Sequence, residues 1–206
     1  MILKPLQKQY RYMSENGSIL THKTERYTVL NSAIKEYCED YIGGSYLEIG
    51  VNYGHSAYCA WQSFQPNEMV LCDIFPKKNM IPIVERTLNV IDCKSIVTFV
   101  YGDTKKTLKH VKHRFDDFDV ILVDGDHSKQ GAEFDLEFSW NMLKPGGLLL
   151  FDDIEIPHLK HVINTFRRLN KDQIDMFKMH EEFKRGIAVL KKGLSFGKAN
   201  ELQRIP

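Results

Sequence analysis

The sequence predicts an α/β fold: a doubly wound, mostly parallel sheet of seven strands, helices on both faces, and a C-terminal antiparallel hairpin. Three observations predict it. Five short runs, Ser45–Gly50, Met69–Ile74, Ser95–Tyr101, Asp119–Asp124 and Leu148–Asp152, are nearly continuous in apolar residues and stop at or beside Gly or Asp. Strands buried on both faces read this way. The intervals between the runs are long enough for the crossover helices that parallel neighbours require. Two later runs, Gln173–His180 and Gly186–Lys191, flank a polar turn and read as an antiparallel pair.

Taken in order, residues 1–26 are expected to be an N-terminal arm or lid, polar and with turn signals at Glu15-Asn16-Gly17-Ser18. A single domain is expected over residues 27–206, since this length suits one core. Val29, Leu30, Ala33, Ile34, Tyr37, Cys38, Tyr41 and Ile42 form a helical stripe from Tyr27 to Ile42, which Gly43-Gly44 stops. One interval is ambiguous. Phe134, Leu136, Phe138, Trp140 and Met142 alternate as in a strand, yet Phe134, Phe138 and Met142 also fall at i, i+4 and i+8. A parallel crossover is needed there, so a helix is expected. There is no internal repeat, low-complexity tract or Pro/Gly linker.

With 43% hydrophobic residues the chain can build a sizeable core, and its formal net charge of +1 gives no global field toward nucleic acid or an anionic membrane. Lys105, Lys106, Lys109, Lys112 and Arg114 are a local basic run, expected to be the solvated face of a helix. Cys38, Cys59, Cys72 and Cys93 have no metal-binding spacing. The first three lie in apolar segments, so buried reduced thiols and a cytoplasmic home are expected. The first residues lack the apolar core of a secretory leader, and no window approaches a membrane span.

In such sheets ligands bind outside the carboxyl ends of the strands, where the winding reverses. Acids recur there: Glu48, Asp73, Asp103, Asp124 and the pair Asp152-Asp153. Leu47-Glu48-Ile49-Gly50-Val51-Asn52-Tyr53-Gly54-His55-Ser56 follows a strand and opens a helix. Gly50 permits a tight turn and Gly54 a close backbone approach. The spacing is GxxxG rather than the GxGxxG that cradles a pyrophosphate, and an acid two residues before the first glycine suits a cationic ligand. Asp73 ends the next strand, placed to accept hydrogen bonds from ribose hydroxyls. Asp103, in Tyr101-Gly102-Asp103-Thr104, is placed to accept from an exocyclic amine. Each acid alone reads equally well as a strand cap.

LEIGVNYGHSA, LCDIF, YGDT, FDVILVDGDHS and LKPGGLLLFDDI, over about residues 45–155, resemble the successive motifs of class I S-adenosylmethionine-dependent methyltransferases. The resemblance implies a Rossmann-like three-layer fold with Glu48 and Gly50 facing the methionine portion of the cofactor. It places Asp73 on the ribose, Asp103 on the adenine amine, and the Gly50–Ser56 backbone, including Asn52, Gly54 and Ser56, on the pocket wall. Ile74, Thr104 and Asp124 complete the expected cofactor-binding set.

At the chemical end, Asp124 and the pair Asp152-Asp153 close neighbouring strands. Three converging carboxylates repel one another unless a cation is bound or protons are taken up, and hard oxygen donors suit Mg²⁺. The arrangement resembles metal-dependent small-molecule and sugar O-methyltransferases, which implies Asp124, Asp152 and Asp153 as metal ligands. His127 stands where the catechol-type members carry a catalytic lysine. An imidazole can take a hydroxyl proton at neutral pH, so His127 is the expected base, with Asp124 beside it and Lys129 as fallback. Tyr10, Tyr12, His22 and Tyr27 are candidates for a cover that excludes water.

The expected partner is a small-molecule hydroxyl acceptor: a sugar, a phenol or a natural-product-like compound. The place after the fourth strand holds Asp124-Gly125-Asp126-His127, not the Asp/Asn-Pro-Pro-aromatic motif of base-methylating enzymes, which argues against nucleic acid. No membrane partner is expected, and a homo-oligomer stays open. The alternatives are a metal-independent methyltransferase and a catalytically inactive cofactor-binding scaffold.

Overall fold

The computed structural model describes residues 24–75, 80–90, 93, 95–182 and 185–194. The first helix, α1, spans Thr24–Cys38 and passes into a single 3₁₀ turn at Glu39–Tyr41. Alternation follows: β1 (Ser45–Ile49), α2 (His55–Phe64), β2 (Glu68–Asp73), α3 (Met80–Val90), β3 (Ile96–Tyr101), α4 (Thr104–Arg114), β4 (Phe118–Val123), α5 (Lys129–Asn141), β5 (Leu143–Phe151) and α6 (Pro157–Leu169). The antiparallel pair β6 (Ile174–Glu182) and β7 (Arg185–Lys192) completes the described chain. The strands lie in the order β3-β2-β1-β4-β5-β7-β6. β1 pairs in parallel with both β2 and β4, while β7 runs antiparallel against β5 and β6. The doubly wound seven-stranded fold read from the sequence is the fold observed.

Strand parity explains the three layers. Tyr46, Met69, Leu71, Val120, Leu122, Leu148, Leu150, Ile187 and Val189 face one side and pack with Leu30 and Ile34 of α1, Ala57 and Phe64 of α2 and Val84 of α3. Leu47, Ile49, Val70, Ile121, Val123, Leu149, Phe151 and Leu190 face the other and pack with Leu108 of α4, Leu136 and Trp140 of α5 and Ile163 of α6. Helix α5 confirms the helical choice for the ambiguous stretch. Leu136 and Trp140 are buried four residues apart, whereas Phe134 and Phe138 lie partly buried beside each other, with ring centroids 5.5 Å apart.

Two boundaries differ from expectation. The first helix ends at Cys38, and Tyr41 leaves the helical stripe to donate its hydroxyl to the Gly146 carbonyl at 2.7 Å. The fifth strand starts at Leu143 rather than Leu148: Lys144-Pro145-Gly146-Gly147 lies within it, across a register irregularity opposite Phe118 and Val120. Gly146 at φ 79° supplies the local backbone turn that a sequence reading takes for a break. Tyr10, Tyr12 and His22 of the expected arm, and residues 76–79, lie outside the described residues, as does the side chain of Tyr27.

Cys38, Cys59 and Cys72 are buried free thiols, pushed well above their ordinary range by burial. The basic run is α4, where only Leu108 and Val111 are buried and Lys105, Lys106, Lys109, Lys112 and Arg114 are exposed. Among the described residues no helix is long and apolar enough to cross a membrane.

Candidate active site

The winding reverses between β1 and β4, so their carboxyl ends frame the crevice. The strand tips are tied side by side by one further hydrogen bond each. Gly50 N donates to Cys72 O (2.9 Å), Asp124 N to Ile49 O (2.8 Å), Gly102 N to Asp73 O (3.0 Å) and Asp152 N to Val123 O (3.0 Å). These bonds bring the acids from separate stretches of sequence onto one edge.

Gly50 has φ 88°, and a Cβ there would sit 1.8 Å from the Asp124 carbonyl oxygen. Only glycine lets the first loop cross so close to the fourth. Glu48, fully buried, lies on the same strand face as Tyr46, whose hydroxyl donates to Oε2 at 2.8 Å. The Ser56 hydroxyl, from the first turn of α2, donates to Oε1. Burial pushes the Glu48 carboxyl up to about 8; the Ser56 and Tyr46 hydroxyls act against that rise, while the negative charges of Asp124 and Asp73 add to it.

Asp73 sits at the tip of β2 with both carboxylate oxygens aimed by backbone. Oδ2 accepts from Asn52 N and Oδ1 from Phe75 N, each at 2.7 Å. Asn52 and Phe75 themselves have positive φ (49° and 40°), so both loops turn sharply to reach this one side chain. Ile74 beside it is 57% exposed, an apolar surface at the crevice edge. Asp103 is exposed and caps α4, accepting from Lys105 N at 2.9 Å. The Thr104 hydroxyl opposes the rise that burial causes in the Asp135 carboxyl.

Across the crevice His127 Nε2 lies 3.2 Å from Asp124 Oδ1 and 3.1 Å from Asp153 Oδ2. Ligand atoms of Asp124, His127 and Asp153 all fall within 4.8 Å of one another, the only such group among the described residues. Asp153 is buried and held at φ 58°; Asp152 is also buried and falls outside the group. His158 of α6 approaches the His127 carbonyl at 2.7 Å, bracing the loop from the far side. Lys129, the fallback base, is exposed and pairs with Glu133 along α5 at 3.8 Å. That pairing points it along its own helix.

Sequence reasoning missed two supporting residues. Asp135 of α5 is fully buried beneath the loop that carries Asp124 and His127. Burial raises its carboxyl, Oδ2 accepts from Asp126 N at 3.3 Å, and Gly125 leaves it room, since a Cβ there would come within 2.6 Å of Oδ2. The available signal was an acid in the middle of an otherwise apolar helix face. His55, at the start of α2, is buried and its imidazole is pushed down to about 3, hence neutral.

A family model described as a methyltransferase domain matches residues 47–154, a little over half of the chain. The chain belongs to this methyltransferase family. The matched stretch begins one residue before Glu48 and ends one after Asp153, so it contains every one of these strand tips. No curated protein matches the methyltransferase chain in sequence. Solved structures match its fold. An O-methyltransferase from Bacillus cereus in complex with S-adenosylhomocysteine has a TM-score of 0.70 at 15% identity, covering 91% of this chain and 90% of that one. The O-methyltransferase TomG from Streptomyces achromogenes, involved in tomaymycin synthesis and in complex with S-adenosylmethionine, has 0.70 at 13%, covering 92% and 90%. A methyltransferase from Podospora anserina bound to S-adenosylhomocysteine has 0.64 at 16%, covering 92% and 88%. At these identities the likeness establishes a shared fold; the chemistry must come from the residues.

Proposed function

We propose that this methyltransferase binds S-adenosylmethionine in the crevice between the β1 and β4 tips and methylates a small-molecule hydroxyl with the help of a divalent cation. The observation that carries the reading is the gathering of Asp124, His127 and Asp153 within 4.8 Å at the strand tips, beside the loop that Gly50 allows to turn. The solved relatives named above, bound to S-adenosylmethionine or its product, support the choice of cofactor.

The bound cofactor supplies a methyl group on a sulfonium centre. Glu48 offers a buried carboxyl to its cationic end, and Gly50, Asn52, Gly54 and Ser56 wall that part of the pocket. Asp73, its oxygens already oriented by Asn52 N and Phe75 N, keeps spare lone pairs for ribose hydroxyls. Ile74, Asp103, Thr104 and Asp124 line the adenine side and the floor.

The Asp124 and Asp153 carboxylates, with Asp152 adjacent as a further one, fit a hard divalent ion such as Mg²⁺ or Mn²⁺. A cation held there would lower the pKa of an acceptor hydroxyl. With those carboxylates turned to the cation, His127 Nε2 would take up the hydroxyl proton, and exclusion of water favours the charge-neutralising transfer. A specific observation favours a second reading without metal: an imidazolium at His127 satisfies Asp124 and Asp153 at 3.2 and 3.1 Å by itself.

Transfer of labelled methyl from S-adenosylmethionine to a panel of phenols and sugars, with Mg²⁺ and with a chelator, tests the proposal. Turnover that the chelator abolishes is expected. Equal turnover in both conditions would leave the metal-free reading standing, and absence of S-adenosylhomocysteine binding would overturn both.

A further inference from the structure

Between the cofactor side of the crevice and the core lies Tyr46, a buried polar side chain to which the proposed reaction gives no role. Tyr46 is the largest fully buried side chain of β1, 1% exposed, in a strand whose other buried residues are Leu47, Glu48 and Ile49. A phenylalanine would fill the same space, so the hydroxyl needs a reason. Its ring is fixed edge-on against Phe64 of α2, with centroids 5.8 Å apart at 76°. Its hydroxyl meets Glu48 Oε2 while Ser56, from another element, meets Oε1. One donor per carboxylate oxygen, from two directions, leaves the carboxyl a single orientation. Burial raises the phenol well above its ordinary value, so Tyr46 keeps its proton and acts as a donor.

A fully buried carboxyl is costly unless it is hydrogen-bonded and faces compensating charge. The two hydroxyls supply the hydrogen bonds, and a cationic ligand would supply the charge. Resting on the cofactor reading above, we propose that Tyr46 is a positioning residue for S-adenosylmethionine, its hydroxyl acting with that of Ser56 to hold the Glu48 carboxyl ready for the cofactor's cationic end. The groups that bear on this carboxyl are Tyr46 on its own strand, Ser56 and Cys59 on α2, Cys72 and Asp73 at the end of β2, and Asp124 after β4. Asp73 and Asp124 disfavour its ionised form and the two hydroxyls favour it.

Isothermal titration of the full chain with S-adenosylhomocysteine, from about pH 6 to about pH 9, tests this. Wild-type affinity is expected to rise with pH as Glu48 ionises. Tyr46→Phe should bind about tenfold more weakly, as loss of a hydrogen bond to a charged group implies, and should move the midpoint of the profile to higher pH. KM for S-adenosylmethionine should rise about as much, with kcat at saturation within about twofold. Ser56→Ala, which removes the other donor, should move the midpoint the same way, and it carries the test alone if Tyr46→Phe fails to fold. A uniform loss of affinity at every pH with an unmoved midpoint would show a packing role and overturn the proposal, as would unchanged binding. A wild-type chain that does not bind S-adenosylhomocysteine overturns the cofactor reading and this inference together.

Discussion

The two ends of the central sheet treat their acids in opposite ways. At the amino end Asp119 is neutralised locally: it accepts from Ser45 N at 2.7 Å, Ser45 Oγ at 2.9 Å and Lys144 Nζ at 2.8 Å. Partial burial works against the carboxylate there, yet the bonds from Lys144 and Ser45 outweigh it and hold Asp119 below its ordinary range. At the carboxyl end Glu48, Asp73, Asp124 and Asp153 gather around one crevice, and Glu48 is pushed up to about 8. An acid matched by a lysine stabilises the fold. Acids crowded against one another are held in place by the fold, and a ligand that brings positive charge would relieve their repulsion.

That contrast can be broken at several points. Asp153→Asn should lower methyl transfer on the order of 10²–10³-fold while leaving S-adenosylhomocysteine affinity within a few fold, measured by labelled-methyl assay and calorimetry. If turnover survives, the carboxyl end is not the chemical end. Next in size, Gly50→Ala should cost about 3 kcal/mol, because the new Cβ meets backbone rather than a side chain that can move and φ 88° is unfavourable for it. Urea unfolding measures that loss, and cofactor binding should fall with it.

Asp119→Ala should cost only about 1–2 kcal/mol, discounted for its partial exposure, and should leave cofactor affinity unchanged. Since the folded carboxyl lies below its unfolded value, this stabilisation is present above the unfolded pKa and is lost as pH falls through the folded one. Glu48 has the opposite sign. Its folded pKa is raised, so wild-type stability without ligand should decline as pH rises from about the unfolded carboxylate value toward about 8. Glu48→Gln should flatten that decline; an identical pH dependence in both proteins would place Glu48 in water.

Much of this was legible in the sequence because parallel strands buried on both faces leave an unmistakable pattern of apolar runs ending in turn residues. The acids at the strand tips were legible for the same reason, since position in such a sheet fixes which end a residue occupies. Lys144-Pro145-Gly146-Gly147 misled because a bulged strand start and a turn use the same residues. Pairwise geometry was out of reach. The sequence offers Asp124, Asp152 and Asp153 as equals, whereas φ 58° at Asp153 aims that side chain at His127, and Asp152 falls outside the close group. Asp135 lay hidden because a single acid in a helix usually faces water, and only the burial of α5 shows that this one does not.

The left-handed backbone at Asp153 sets stability and chemistry against each other. A side chain in that conformation costs about 1 kcal/mol that glycine would recover, and burying its charge adds to the burden. A library of variants screened only for survival on heating would therefore drift toward glycine at position 153, returning tougher proteins stripped of one carboxylate of the proposed site.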